Sequence, residues 1–156
     1  MNKISPHISM KEATKSITAL RLGIHNTPNS YHIQNMVTLA NNIFEPLRAW
    51  VGGAIKITSM YRSPDLCEAI GSSSKSQHCK GQAIDIDDIF GHKTNFEMFQ
   101  YIRNNLNFDQ LIYEFGTEDN PDWLHISYVS EDKNRNRVLK AVRDNGKVKY
   151  INITNS

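Results

Sequence analysis

Two short segments of the chain gather side chains that bind metals and move protons. The first is Ser76-Gln-His78-Cys-Lys-Gly81-Gln-Ala83-Ile-Asp85. A histidine closes a polar loop, a glycine allows a tight backbone approach, and an aspartate follows on a stretch that alternates like a strand. His78 and Asp85 stand seven residues apart, which suits neither helical nor simple strand pairing. A chain folding back at Gly81 brings imidazole and carboxylate together around one ion. The second segment is Asp122-Trp-Leu-His125-Ile-Ser127. As a strand it puts Trp123, His125 and Ser127 on one face and Leu124, Ile126 and Tyr128 on the other. His78, Asp85 and His125 together would offer three N/O ligands and leave a fourth position for water, the pattern of catalytic rather than structural zinc. By spacing alone the set is also met by chance, so metal binding is one reading among others.

These residues need elements to hold them. Ser9-Met-Lys-Glu12 reads as a capping box that starts a helix near 9–21, with Met10, Ala13, Ile17 and Leu20 at helical spacing. A second helix is expected over about 31–50, with Ile33, Val37, Ala40, Phe44 and Leu47 on one face and Pro46 bending its end. Residues 54–59 read as a strand leading into a polar loop, 61–81, with a helical turn near 66–70. Ala83 to Asp87 alternates, placing Ile84 and Ile86 opposite Asp85 and Asp87. Thr94-Asn-Phe-Glu97 caps another helix reaching about 105, with Phe96, Phe99 and Ile102 inward. Strands follow over 110–115 and 123–129, and Asn145-Gly146 joins two more as a hairpin. Helices first and neighbouring strands later predict an α+β fold: a small, mainly antiparallel sheet with helices packed on one face. Both strands that carry ligand-type residues show one apolar face, so the sheet should have a core side and a chemistry side.

Composition is compatible with this. The chain has 156 residues, 39% of them hydrophobic, and no linker or internal repeat, which predicts one domain over 1–156. No stretch approaches the ~20 apolar residues that span a bilayer, so membrane insertion is not expected. The net charge of +2 hides a division. Residues 133–149 hold seven basic residues and one acid, Asp144, for +6 against −4 over the rest. That basic hairpin, about 133–152, either faces an anionic polymer such as the cell wall or is simply solvated. It lacks interleaved aromatics of a groove type, so nucleic acid is not expected as a partner.

The ordered pattern S-x-H-x-x-G-x-A-x-D (Ser76, His78, Gly81, Ala83, Asp85), followed by acid-x-x-His at Asp122 to His125, resembles the zinc D-alanyl-D-alanine carboxypeptidase family. That family shares its fold with the hedgehog signalling domain and includes bacterial cell-wall enzymes and phage endolysins. Ile57-Thr-Ser-Met-Tyr61-Arg62-Ser63 resembles its strand-then-Tyr-Arg-Ser segment, and the likeness to short phage-type members runs from about residue 5 to 130. The resemblance implies a hedgehog/DD-peptidase-like fold, Zn2+ on His78, Asp85 and His125, and hydrolysis of peptidoglycan stem peptides by metal-activated water. It puts the general base at Asp122, with Glu114 on the preceding strand as the rival. It gives Arg62 to a substrate carboxylate or the developing oxyanion, and Ser76, within the motif, to a substrate contact or the orientation of His78; Trp123 and Tyr61 read equally as substrate contacts or as packing.

Other expectations follow from what the sequence lacks. The first residues, MNKISPHISMKEATKS, hold no apolar signal region, so the protein is expected to be cytoplasmic as synthesised, in a bacterial host or phage-encoded, and to reach the wall only if released. In that compartment Cys67 and Cys79 are expected to be reduced, although a disulfide stapling the loop is open to them. A monomer is expected. The alternative function is a non-catalytic, zinc-stabilised binding module on the same fold.

Overall fold

The computed structural model describes residues 2–72 and 75–156; Ser73 and Ser74, in the predicted polar loop, lie outside the described residues, as does Met1. Strands β1 (Lys3–Ser5) and β2 (Ile8–Ser9) pair into a small antiparallel ribbon. Ser9 then caps α1 (Met10–Thr14) in the predicted manner, its hydroxyl accepting the Glu12 N–H while Glu12 accepts the Ser9 N–H.

The helix predicted over 9–21 breaks in two. The Asn26 side-chain amide donates to the Thr14 carbonyl at 2.8 Å, Lys15 turns extended, and Ser16 caps a new helix, α2 (Ile17–Leu22). Ile17 and Leu20, expected inward, are 77% and 86% exposed. The second predicted helix is present as α3 (Ser30–Leu39), a π-helical turn (Ala40–Phe44) and α4 (Glu45–Val51). Pro46 has no N–H to give the preceding turn, and the π turn before it absorbs that loss.

Strand β3 (Lys56–Ser59) leads to α5 (Pro64–Ala69), a 3-10 turn (Gln77–Lys80) and β4 (Ala83–Asp87). Helix α6 (Asn95–Asn105) starts at the predicted Thr94–Glu97 capping box. Strands β5 (Gln110–Glu114), β6 (Trp123–Ser127), β7 (Arg137–Asp144) and β8 (Lys147–Asn152) follow. The result is mixed α+β, with a six-stranded sheet in the order β3-β4-β6-β5-β7-β8. Every neighbouring pair is antiparallel except β5 and β7, which run parallel. The basic hairpin is thus the far side of this sheet, not an appendage.

Side-chain alternation divides the sheet as the sequence suggests. Ile84, Ile86, Leu111, Tyr113, Leu124, Ile126 and Val138 face one core with Met36, Leu39, Phe44, Leu47, Phe99 and Ile102 of the helices. Burying each such side chain contributes about 1.5–3 kcal/mol. The opposite face carries Asp85, His125, Ile112 and Leu139 in one cross-strand row.

Cys67 and Cys79 are joined by a disulfide, against the expectation of reduced thiols. The chain between them folds back so that α5 and the 3-10 turn meet, with their Cα atoms 6.6 Å apart. That proximity is set by tertiary contacts, on which the compartment expected from sequence carries no information.

Candidate active site

His78 enters the site from the 3-10 turn. Ser76 accepts the His78 N–H on its hydroxyl, and Gly81 ends the turn in a left-handed conformation, φ +74. A Cβ at Gly81 would lie 2.5 Å from the His32 carbonyl of α3, so the glycine is needed for both the turn and the close packing. The His78 ring is held by Nδ1, which donates to the Met60 carbonyl at 2.7 Å. That bond fixes the tautomer and leaves the Nε2 lone pair pointing into the site.

Asp85 and His125 come from paired positions of β4 and β6. Asp85 Oδ1 lies 3.3 Å from His78 Nε2 and 3.0 Å from His125 Nδ1, and all three donors fall within 4.8 Å of one another. Burial by itself would raise the Asp85 pKa, but the two imidazoles hold it well below the usual carboxylate range. Burial pushes His78 the other way for a base, lowering its pKa so that the neutral, ligating form persists, and Asp85 only partly opposes this. Arg62 completes the cluster edge, with its guanidinium 3.6 Å from Asp85 Oδ2 and its Nε donating to Ser59 at 3.1 Å.

The donor set suits zinc on two observations. A tetrahedral ion with bonds of about 2.0–2.1 Å needs ligand atoms about 3.3 Å apart, close to the 3.3 and 3.0 Å from Asp85 Oδ1 to the two imidazoles. The His78 ring is also oriented from behind by a carbonyl, as metal-bound imidazoles are.

The cluster lies on the floor of an open groove of about 1090 Å³ on the chemistry face of the sheet. Glu114, Ser76, Trp123 and Arg62 line the same groove. Glu114 is 7% exposed, and its carboxylate has no hydrogen-bond or ion-pair partner among the described residues. Burial pushes its pKa up to about 7, with His125 opposing and Asp85 reinforcing the shift. Trp123 stands against Phe115, ring centres 5.3 Å apart.

Two of the expected residues do not meet this groove. Asp122 is exposed at the bend before β6, where its N–H donates to the Glu114 carbonyl, and it is absent from the groove lining. Three residues before His125, it falls on the opposite side of strand alternation. Tyr61 is buried, and its hydroxyl pairs with His32 Nδ1 at 3.0 Å, beneath a smaller pocket away from the cluster.

The structure also brings in residues that motif reading passes over. Asp109 is 2% exposed and accepts two bonds from the Arg135 guanidinium, at 2.9 and 2.8 Å, and one from Gln77 at 2.9 Å, the residue before His78. Arg135 and Gln77 hold its pKa down against the upward push of burial. Asp109 stands just before β5, and its burial is visible only in the folded chain.

Three convergent N/O donors, an open groove and a nearby unpaired carboxylate are the groups that a metal-dependent hydrolase requires. Residues 6–127 match the profile of the Peptidase M15 family, and the chain belongs to that family, whose peptidases are zinc-dependent. No curated protein matches the chain. Among the described residues, no helix is long and apolar enough to cross a membrane.

Proposed function

We propose that the protein is a zinc-dependent peptidase that hydrolyses peptidoglycan stem peptides, on a hedgehog/DD-peptidase-like fold. The observation that carries this is the convergence of His78 Nε2, Asp85 Oδ1 and His125 Nδ1 on the floor of an open groove, with His78 oriented by the Met60 carbonyl. Zinc held by these three residues supplies Lewis-acid polarisation and acidifies water at neutral pH.

The chain's own residues supply the rest. Glu114 is the general base in this reading, because its buried carboxylate lines the groove on the same sheet face as His125 and has no partner among the described residues, which leaves it free to take a proton from water and return it to the leaving amine. Asp122, favoured by motif spacing, is the lesser candidate because its exposed position at the bend gives it no share in the groove. Arg62, steadied by Ser59, offers its remaining N–H groups to the carbonyl oxygen as charge develops or to a substrate carboxylate. Ser76 orients His78, and Trp123 forms an apolar wall for the peptide.

The test is mass spectrometry of muropeptides after incubation with zinc-loaded protein. Cleavage of a stem-peptide amide is expected, lost in His125→Ala, reduced at least about 100-fold in Glu114→Gln and largely retained in Asp122→Asn. Tight zinc binding with every stem peptide left intact rejects the enzymatic reading. Loss in Asp122→Asn with retention in Glu114→Gln reverses the assignment of the base.

A further inference from the structure

The basic residues of 133–149 do not form one surface. Strand alternation sends Arg137 and Arg143 of β7 to the groove face and Lys140 to the other, where it lies over the Tyr113 ring at 5.3 Å. The register of β8 likewise puts Val148 and Tyr150 on the groove face and Lys147 and Lys149 on the opposite one. Only part of the positive charge therefore addresses the site.

That part is concentrated at one end. The row of the sheet next to the metal-type row runs Ala83, Ser127, Gln110, Arg137 across four strands. Ala83 and Ser127 are fully buried and do not line the groove, which continues past the cluster along Gln77, Gln110 and Arg137. Lys133 lines the same end. Arg135 is already committed to Asp109, whereas the Arg137 guanidinium and the Lys133 ammonium have no ion-pair partner among the described residues. The other end has a different character. Trp123, Phe115 and Tyr150 wall it, Glu114 lies in its floor, and Arg143 is drawn over the Phe115 ring at 4.1 Å.

We propose that Arg137, assisted by Lys133, is a specificity-determining residue that reads a carboxylate on the peptide, about two to three residues from the bond over the cluster. This rests on the peptidase reading above and narrows its substrate class to peptides with a carboxylate at that distance from the bond cut. The span follows from sheet geometry. Arg137 is two strands and two residues away from His125, about 12 Å between backbones at ordinary strand spacing. Extended peptide covers that distance in roughly three residues, and the arginine side chain reaches part of it. A planar guanidinium engages a carboxylate through two parallel N–H bonds but gains little from a carboxamide.

The experiment uses synthetic stem pentapeptides in which each carboxylate in turn is free or converted to its carboxamide. With zinc-loaded wild type, one free carboxylate is expected to raise kcat/KM by at least about tenfold over its amide. Arg137→Gln is expected to abolish that ratio, and Lys149→Gln, on the opposite face of the same basic segment, to keep it. The same peptides are titrated calorimetrically into Glu114→Gln and into Glu114→Gln/Arg137→Gln. An Arg137-dependent preference in Kd without any cleavage by wild type upholds the subsite and rejects the peptidase reading. Equal handling of acid and amide in both assays, or a preference that survives Arg137→Gln, overturns the proposal, while the presence or absence of cleavage decides the peptidase reading separately.

Discussion

Replacing Glu114 by glutamine should remove a pH dependence of stability that the buried carboxylate imposes on the metal-free protein. Glu114 is pushed up from an ordinary value of 4.5 to about 7 by burial. Between those values the unfolded chain has released its proton and the folded chain retains it. Folding then takes up a proton, so stability falls as pH rises from about 4.5 and levels off above about 7. The full loss is about 3 kcal/mol, of which about 2.5 kcal/mol falls between pH 5 and pH 8.5. His78 and Asp85 also shape the wild-type profile, so the informative quantity is the difference between wild type and Glu114→Gln. The assay is urea denaturation followed by circular dichroism, with a chelator present, at the two pH values. Glutamine should gain about 2.5 kcal/mol on wild type from the lower to the higher pH. Adding zinc should shrink that gain, because a nearby cation favours the ionised carboxylate. Parallel profiles for the two proteins at all pH values would refute a buried, uncompensated Glu114 and with it the physical basis for its role as base.

Removing a metal-type ligand by His125→Ala or Asp85→Asn should weaken zinc binding beyond the roughly 10–100-fold that an outer partner carries, measured by competition with a chromophoric chelator. Asp109→Ala leaves Gln77 and the half-exposed Arg135 without their shared acceptor and should cost about 1–2 kcal/mol in chemical denaturation at neutral pH. Because the Asp109 pKa is depressed, that contribution should fade in wild type as pH drops below the ordinary carboxylate value of 3.8. Reducing the Cys67–Cys79 bond, which closes a loop of sequence separation 12, should lower stability by about 3 kcal/mol and be reproduced by Cys67→Ser/Cys79→Ser. An unchanged denaturation midpoint after complete reduction would show that the loop is held by its other contacts.

Much of the site is legible in the sequence because sheet periodicity and ligand chemistry coincide on the same residues. Asp85 and His125 alternate with Ile84, Ile86, Leu124 and Ile126, so a strand that buries its apolar side must present both ligands on the other. The same rule puts Asp122 on the side away from His125 and Glu114 on the side of His125, since Leu111 and Tyr113 of the same strand face the core. The helical prediction over 9–21 failed. Ile17 and Leu20 have the right period, but a distant side chain, Asn26, takes the Thr14 carbonyl that the helix needed.

The amino-acid order by itself determined the local matters: which strands have a core side, where Ser9 and Thr94 start helices, and that Asp85 and His125 stand opposite the apolar residues of their strands. Tertiary structure decided what depends on groups distant in sequence. It set the 3.0 and 3.3 Å approaches around Asp85, the Met60 carbonyl behind His78, the Cys67–Cys79 bond, and the placing of the basic hairpin beside β5 in the same sheet. The physical reason is range. Periodicity and capping are written in neighbouring residues, whereas a ligand cluster and a groove are closed by β4, β5, β6 and β7 meeting in an order that the chain reaches only through packing.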